Sequence, residues 1–166
     1  MFRPARFDAE YKPSLVLLAA MTALVSGALH IILPVLPILV RRFDASPGQV
    51  QLVVALFLLA IAVGQLLYGP ISDRFGRRPV LIAGLLLFLA GTLLCGAAWS
   101  LPILIVGRVV EAVGACAGLV LGRAILLDVY DRDTAARGLA IILMTMTVAP
   151  GVSPTIGAGL ALQLRF

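Results

Sequence analysis

Gly69-Pro-Ile-Ser-Asp-Arg-Phe-Gly-Arg-Arg-Pro79 decides the fold of this chain. It gathers Asp73, Arg74, Arg77 and Arg78 between glycines and prolines, and Gly69 and Gly76 are the two glycines. On either side the sequence runs almost free of charge for about twenty residues, the length of one membrane crossing. A corner this short has no room for a domain. It reverses the chain where apolar surroundings give way to water.

Composition points the same way. The 166 residues are 61% apolar and 13% charged, with a mean hydropathy of +1.10. A soluble domain carries about 25% charged residues. A chain of this length cannot enclose so much apolar surface on its own. The reading is an all-α membrane protein, a multi-spanning helical bundle. The net charge of +5 comes from arginines clustered between apolar runs, so topology explains it and nucleic acid is not an expected partner. Cys95 and Cys116 lie inside apolar runs with no metal or redox spacing, and read as small packing residues. Tyr68 and Trp99 fall near the ends of runs, where interfacial aromatics belong.

Five spans are expected, over about 14–40, 48–71, 79–98, 103–127 and 138–162, after a polar tail at 1–13. The first run is too long for the apolar core of a signal peptide and is read as a span. Pro34 and Pro37 should bend its far end. Ser46 before Pro47 reads as a helix cap and first helical residue. Residues 72–78 form the charged turn, and Asp128 to Arg137 a polar link. Basic residues set the orientation. Arg3, Arg6, Lys12, Arg74, Arg77, Arg78, Arg132 and Arg137 fall on one side, against Arg41, Arg42 and Arg165 on the other. The amino end and the 72–78 corner are therefore expected in the cytoplasm.

Charged groups inside a span are costly and raise a functional question by default. Arg108 and Glu111 stand three residues apart in the fourth span, on one helix face, and can pair. They are either a cavity-lining or coupling pair or a neutralised structural one. Arg123, nearer the end of that span, is placed to snorkel. His30 in the first span is either a packing residue or a group that takes and releases a proton. The fifth span carries Pro150, Gly151, Pro154, Gly157 and Gly159, which serve either close packing or bending. At the corner, Asp73 is a candidate lock. Arg77 and Arg78 either hold anionic lipid or anchor orientation.

These residues resemble the major facilitator superfamily. Gly69, Asp73, Arg74, Gly76, Arg77 and Arg78 match its signature between the second and third helices. Arg108 with Gly114 is similar to its helix-four signature, and Pro150 with Gly157 and Gly159 to its antiporter signature. Leu33-Pro-Val-Leu-Pro37, Gly64 through Pro79, Arg123 with Asp128, and Ala149 through Pro154 resemble the bicyclomycin/chloramphenicol resistance (Bcr/CflA-like) drug:proton antiporters. The resemblance implies proton-driven export of amphipathic drug-like molecules through a bacterial inner membrane, a gating latch at Asp73 and its arginines, and a coupling or substrate role for Arg108. Two positions depart from the family's pattern. His30 stands where relatives carry an acid, and Glu111 where they carry glutamine. The acid is thus expected to have moved from the first helix to the fourth. The superfamily has twelve helices in two halves. The chain accordingly reads as an amino-terminal fragment, five helices of an incomplete six-helix half, needing a carboxy-terminal half for transport. A carrier of sugars, organic acids or metabolites is one alternative, and a non-transporting remnant another. No cofactor, metal site or enzyme chemistry is expected: no metal-ligand cluster, nucleophile set or phosphate-binding loop is legible.

Overall fold

The computed structural model describes residues 15–163, and the expected tail at 1–13 lies outside them. The described chain is helical, with no strand among the described residues. In order it forms α1 (Leu15–His30), a 3-10 turn (Leu33–Val35), α2 (Leu36–Arg42), α3 (Pro47–Phe75), α4 (Arg77–Gly96), α5 (Leu101–Val129) and α6 (Arg132–Gln163). Among the described residues, four stretches are long and apolar enough to cross a bilayer: Ala20–Arg42, Pro47–Phe75, Arg77–Gly96 and Leu101–Val129. The chain is an all-α membrane helical bundle. The fifth expected span, 138–162, falls within α6, most of whose side chains beyond Val148 lie outside the described residues.

The first span is broken rather than merely bent. Pro34 has no N–H for the His30 carbonyl, and its ring crowds that carbonyl. The α-helix accordingly ends at His30, and the chain passes through a 3-10 turn before α2 resumes. Ser46 caps α3 with a reciprocal pair: its Oγ accepts from the Gln49 amide at 3.3 Å, and Gln49 Oε1 accepts from the Ser46 amide at 2.9 Å. At the start of α6, the Asp131 carboxylate accepts from the Thr134 amide at 3.2 Å. The Thr134 side chain and amide hold the Asp131 carboxyl below its ordinary value.

The charged turn at 72–78 is much shorter than expected. Ser72, Asp73, Arg74 and Phe75 continue α3, and Arg77 already begins α4. Only Gly76 lies between the helices, at φ 91° and ψ 147°. That backbone region is open to glycine and strained for any L side chain. Replacing Gly76 with alanine should therefore cost about 1–3 kcal/mol through strain alone. The added methyl itself meets nothing closer than the Pro79 ring at 3.6 Å. Thermal unfolding of the detergent-solubilised chain checks this, and an unchanged midpoint would count against it. The link expected at 128–137 shrinks likewise to Tyr130 and Asp131.

α5 is the hub. It packs extensively against α4, α3 and α1, and also meets α6, whereas α3 and α4 barely touch each other despite sharing a corner. In a bilayer, lipid is as apolar as leucine, so helices associate by close van der Waals fit between small residues. The α4–α5 seam has that form. Gly84 and Gly91 on α4 run antiparallel to Gly107 and Gly114 on α5, each pair two turns apart. A methyl at Gly91 would overlap the Glu111 backbone amide, and one at Gly107 would lie 2.8 Å from Cys95 Sγ. Cys116 does the equivalent work toward α3, seated against Gly64 with its thiol 3.2 Å from the Ile61 carbonyl. Apolar clusters lock both ends of the bundle. One joins Leu39, Val50, Val53, Ala98 and Leu104, and the other joins Val80, Leu121, Ile125, Leu126 and Ile142. Tyr68 packs against the second cluster instead of standing free at the interface, while Trp99 is exposed.

Candidate functional site

The seam fixes a charged centre inside the bundle. Arg108 and Glu111 pair across one turn of α5, with Nη1 2.7 Å from Oε2 and side chains only 4% and 6% exposed. Three other helices close around them. The Arg108 guanidinium lies 4.1 Å from the centroid of the Phe57 ring of α3, a cation–π contact in dry surroundings. Its Nη2 donates to the Ala28 carbonyl of α1 at 2.9 Å. The proline break makes that bond available, because the last turn of a helix leaves carbonyls without helical partners. From α4, the Thr92 hydroxyl lies 3.2 Å from Glu111 Oε1, and Cys95 Sγ 3.9 Å from Oε2. Arg108 Nε is buried and makes no hydrogen bond among the described residues. The guanidinium is thus tied to two helices and the carboxylate to a third, so the pair joins elements that otherwise have little contact with one another.

His30 ends α1 two residues beyond Ala28 and is half-buried. Arg123 is exposed farther along α5, its Nη2 3.3 Å from Met146 Sδ of α6, and does not join the central pair. An open apolar groove of about 570 Å³ runs beside the centre, lined by Leu59, Val63, Tyr68, Val80, Val109 and Val113 among others.

At the corner, the structure ties Arg77 to the far end of α5: Nε lies 2.8 Å from Asp128 Oδ2, partly shielded from solvent. Asp73 is exposed and makes no ion pair among the described residues. Arg74 stacks on Phe75 at 5.4 Å, and Arg78 is exposed. A methyl at Gly69 or Gly151 would meet nothing within 4 Å, so packing inside the described bundle does not require glycine there. The side chains of Pro150 and Pro154, and the surroundings of Gly157 and Gly159, lie outside the described residues.

Sequence reasoning missed Phe57, Thr92 and the pairing of Arg77 with Asp128. Thr92 had a signal, as the only hydroxyl in α4. Phe57 had none among so many apolar neighbours.

A family model described as Major Facilitator Superfamily matches residues 16–166. The chain belongs to the major facilitator superfamily. Among curated relatives, Multidrug resistance protein D of Escherichia coli K12 is 34% identical over 143 residues, 86% of this chain and 36% of that protein. The Chloramphenicol resistance protein of Pseudomonas aeruginosa is 32% identical over 146 residues, 87% of this chain and 35% of that one. Multidrug resistance protein MdtL of Salmonella typhimurium is 31% identical over 147 residues, 89% of this chain and 37% of that one. The chain thus spans little more than a third of the length of these relatives.

Proposed function

We propose that this chain forms the amino-terminal spans of a proton-coupled exporter of amphipathic drug-like molecules in a bacterial inner membrane, with its amino end in the cytoplasm. The observation that carries the proposal is the buried Arg108–Glu111 pair. A charge within a span is expensive, and such residues face the bundle interior along ion or substrate pathways. The names of the relatives, which concern multidrug and chloramphenicol resistance, support a drug cargo. The apolar groove beside α3 supports an amphipathic one.

In this reading Glu111 is the proton carrier and Arg108 its counter-ion. Protonation of Glu111 neutralises the carboxylate and weakens its hold on one arm of Arg108. Arg108 also holds the broken end of α1 through Ala28, so the charge change reaches the first span. The proton then biases one arrangement of the helices over another, which is all that a ligand can do to a conformational equilibrium. Arg77 with Asp128, and Asp73 with Arg74 and Arg78, form the latch at the cytoplasmic corner, and the arginines also meet anionic lipid headgroups. The part of the relatives beyond the match supplies the opposing half of the cavity. His30 is a packing residue here, not the carrier.

The test uses everted vesicles holding the protein that carries this chain. Adding an amphipathic drug should dissipate an imposed inside-acid pH gradient. Glu111→Gln should bring that response to background, while His30→Ala keeps most of it. Full proton-driven transport in both variants removes the proposal. A gradient that responds to sugars or organic acids and to no drug assigns the chain to another cargo.

A further inference from the structure

The two oxygens of Glu111 have different partners. Oε2 receives Arg108 Nη1 at 2.7 Å, while Oε1 faces the Thr92 hydroxyl at 3.2 Å. That hydroxyl also lies 2.9 Å from the Phe88 carbonyl, one turn back on α4. The glycine seam sets this spacing: with no side chain at Gly91, the backbone of Glu111 comes against α4 and brings Oε1 within reach of Thr92.

A hydroxyl has one proton to give and two lone pairs to offer. When Glu111 is ionised, the Thr92 proton points to Oε1, and the Phe88 carbonyl keeps its own helical partner. When a proton from water sits on Oε1, the direction reverses. The carboxylic O–H donates to Thr92 Oγ1, and the Thr92 proton turns to the Phe88 carbonyl. Each state is fully bonded at Oε1, the switch there needs only the Thr92 proton to rotate, and Arg108 still faces Oε2 across a weaker contact between a charge and a neutral group. Oε2 offers no equivalent, because the guanidinium has only donors.

We propose that Oε1 is the oxygen of Glu111 that takes the proton, and that Thr92 is the positioning residue that holds it in both charge states. The inference rests on the reading of Glu111 as proton carrier. It makes α4 part of the coupling site rather than a packing helix alone.

The surroundings leave few rivals for this role. On α5 itself Arg108 faces the carboxylate. From α4, Cys95 approaches Oε2 at 3.9 Å, the same distance as from its thiol to the Leu104 carbonyl. α3 brings the Phe57 ring to Arg108 and carries its only charges, Asp73 and Arg74, in its last turn. α1 brings the Ala28 carbonyl to Arg108 and ends at His30. The charges of α6, Arg132, Asp133 and Arg137, stand in its first two turns, beside the opposite end of α5.

The bland alternative is that Thr92 only back-bonds to its own helix, as threonines often do. Infrared difference spectra of the full chain in lipid, taken between neutral and acid pH, separate the two. The carbonyl band of protonated Glu111 is the one that Glu111→Gln removes. Thr92→Val keeps the side-chain shape and deletes the hydroxyl. It should move that band to higher wavenumber, because the carboxylic acid loses its hydrogen-bond acceptor, and Thr92→Ser should return it. A band unmoved by Thr92→Val, or moved equally by both variants, overturns the role of Thr92 while leaving Glu111 as carrier. If Glu111→Gln removes no band, the carrier reading itself fails and the inference falls with it.

Discussion

Gly114→Leu yields no monodisperse protein. A side chain at this position of α5 would overlap the Phe88 backbone amide of α4 and reach within 2.6 Å of the Gly84 carbonyl. Both obstacles are backbone, so no rotamer change relieves them, and α4 has to move away as a body. Ordinary overpacking costs about 1–3 kcal/mol, and a clash between two helix backbones exceeds it. Moving α4 also opens the Gly84–Ala117 and Gly91–Glu111 contacts along the same seam. Gly96→Ala is the matched control. A methyl there meets nothing within 4 Å, so it should be neutral or stabilise by up to about 1 kcal/mol. Size-exclusion recovery and thermal unfolding in detergent measure both. Gly114→Leu with wild-type recovery would mean that α4 and α5 do not touch as described.

Arg108→Ala carries the second-largest effect. It strips Glu111 of its counter-ion, Phe57 of its cation and Ala28 of its donor in one step. Removing one member of a buried ion pair typically costs about 3–5 kcal/mol, because the other charge stays buried without compensation. Replacing both members with apolar side chains of similar volume is often neutral. Arg108→Met combined with Glu111→Met should therefore recover most of the stability lost in Arg108→Met alone. Unfolding midpoints of the wild type, the two single variants and the double variant give the coupling energy directly. If the losses simply add, the pair holds nothing together. On the proposed function, the double variant should be stable and yet unable to couple transport to protons, which would separate folding from function at one site.

The sequence makes some of this legible and hides the rest for physical reasons. Runs of apolar residues mark the membrane spans because each crossing must satisfy its own backbone and face lipid. Ser46-Pro47 and Pro34 act through neighbours a few residues away, so the α3 cap and a disturbance of the first span can be read locally, although the sequence suggests a bend where the helix breaks after His30. The i,i+3 spacing of Arg108 and Glu111 likewise announces a pair on one helix. The corner at 72–78 misleads, because charge density suggests a loop while Asp73 and Arg74 are comfortable in a final helical turn. Cross-helix partners are hidden altogether. Arg77 finds Asp128, and Glu111 finds Thr92, across stretches where periodicity names a face and not what it meets. Gly69 marks the opposite limit: the motif singles it out, yet the space beside it is open in the described bundle.

The dependence of α3 and α4 on α5 has a bearing on biogenesis. These two helices are joined by one residue but have little hold on each other, and most of their contacts are with the segment synthesised next. A nascent chain released through Gly96 therefore enters the bilayer as an open hairpin whose two arms scarcely hold each other. Leu101–Val129 closes it by threading between the two arms, so assembly waits on the translation of this third element, and any pause before it exposes the glycine seam to competing helices.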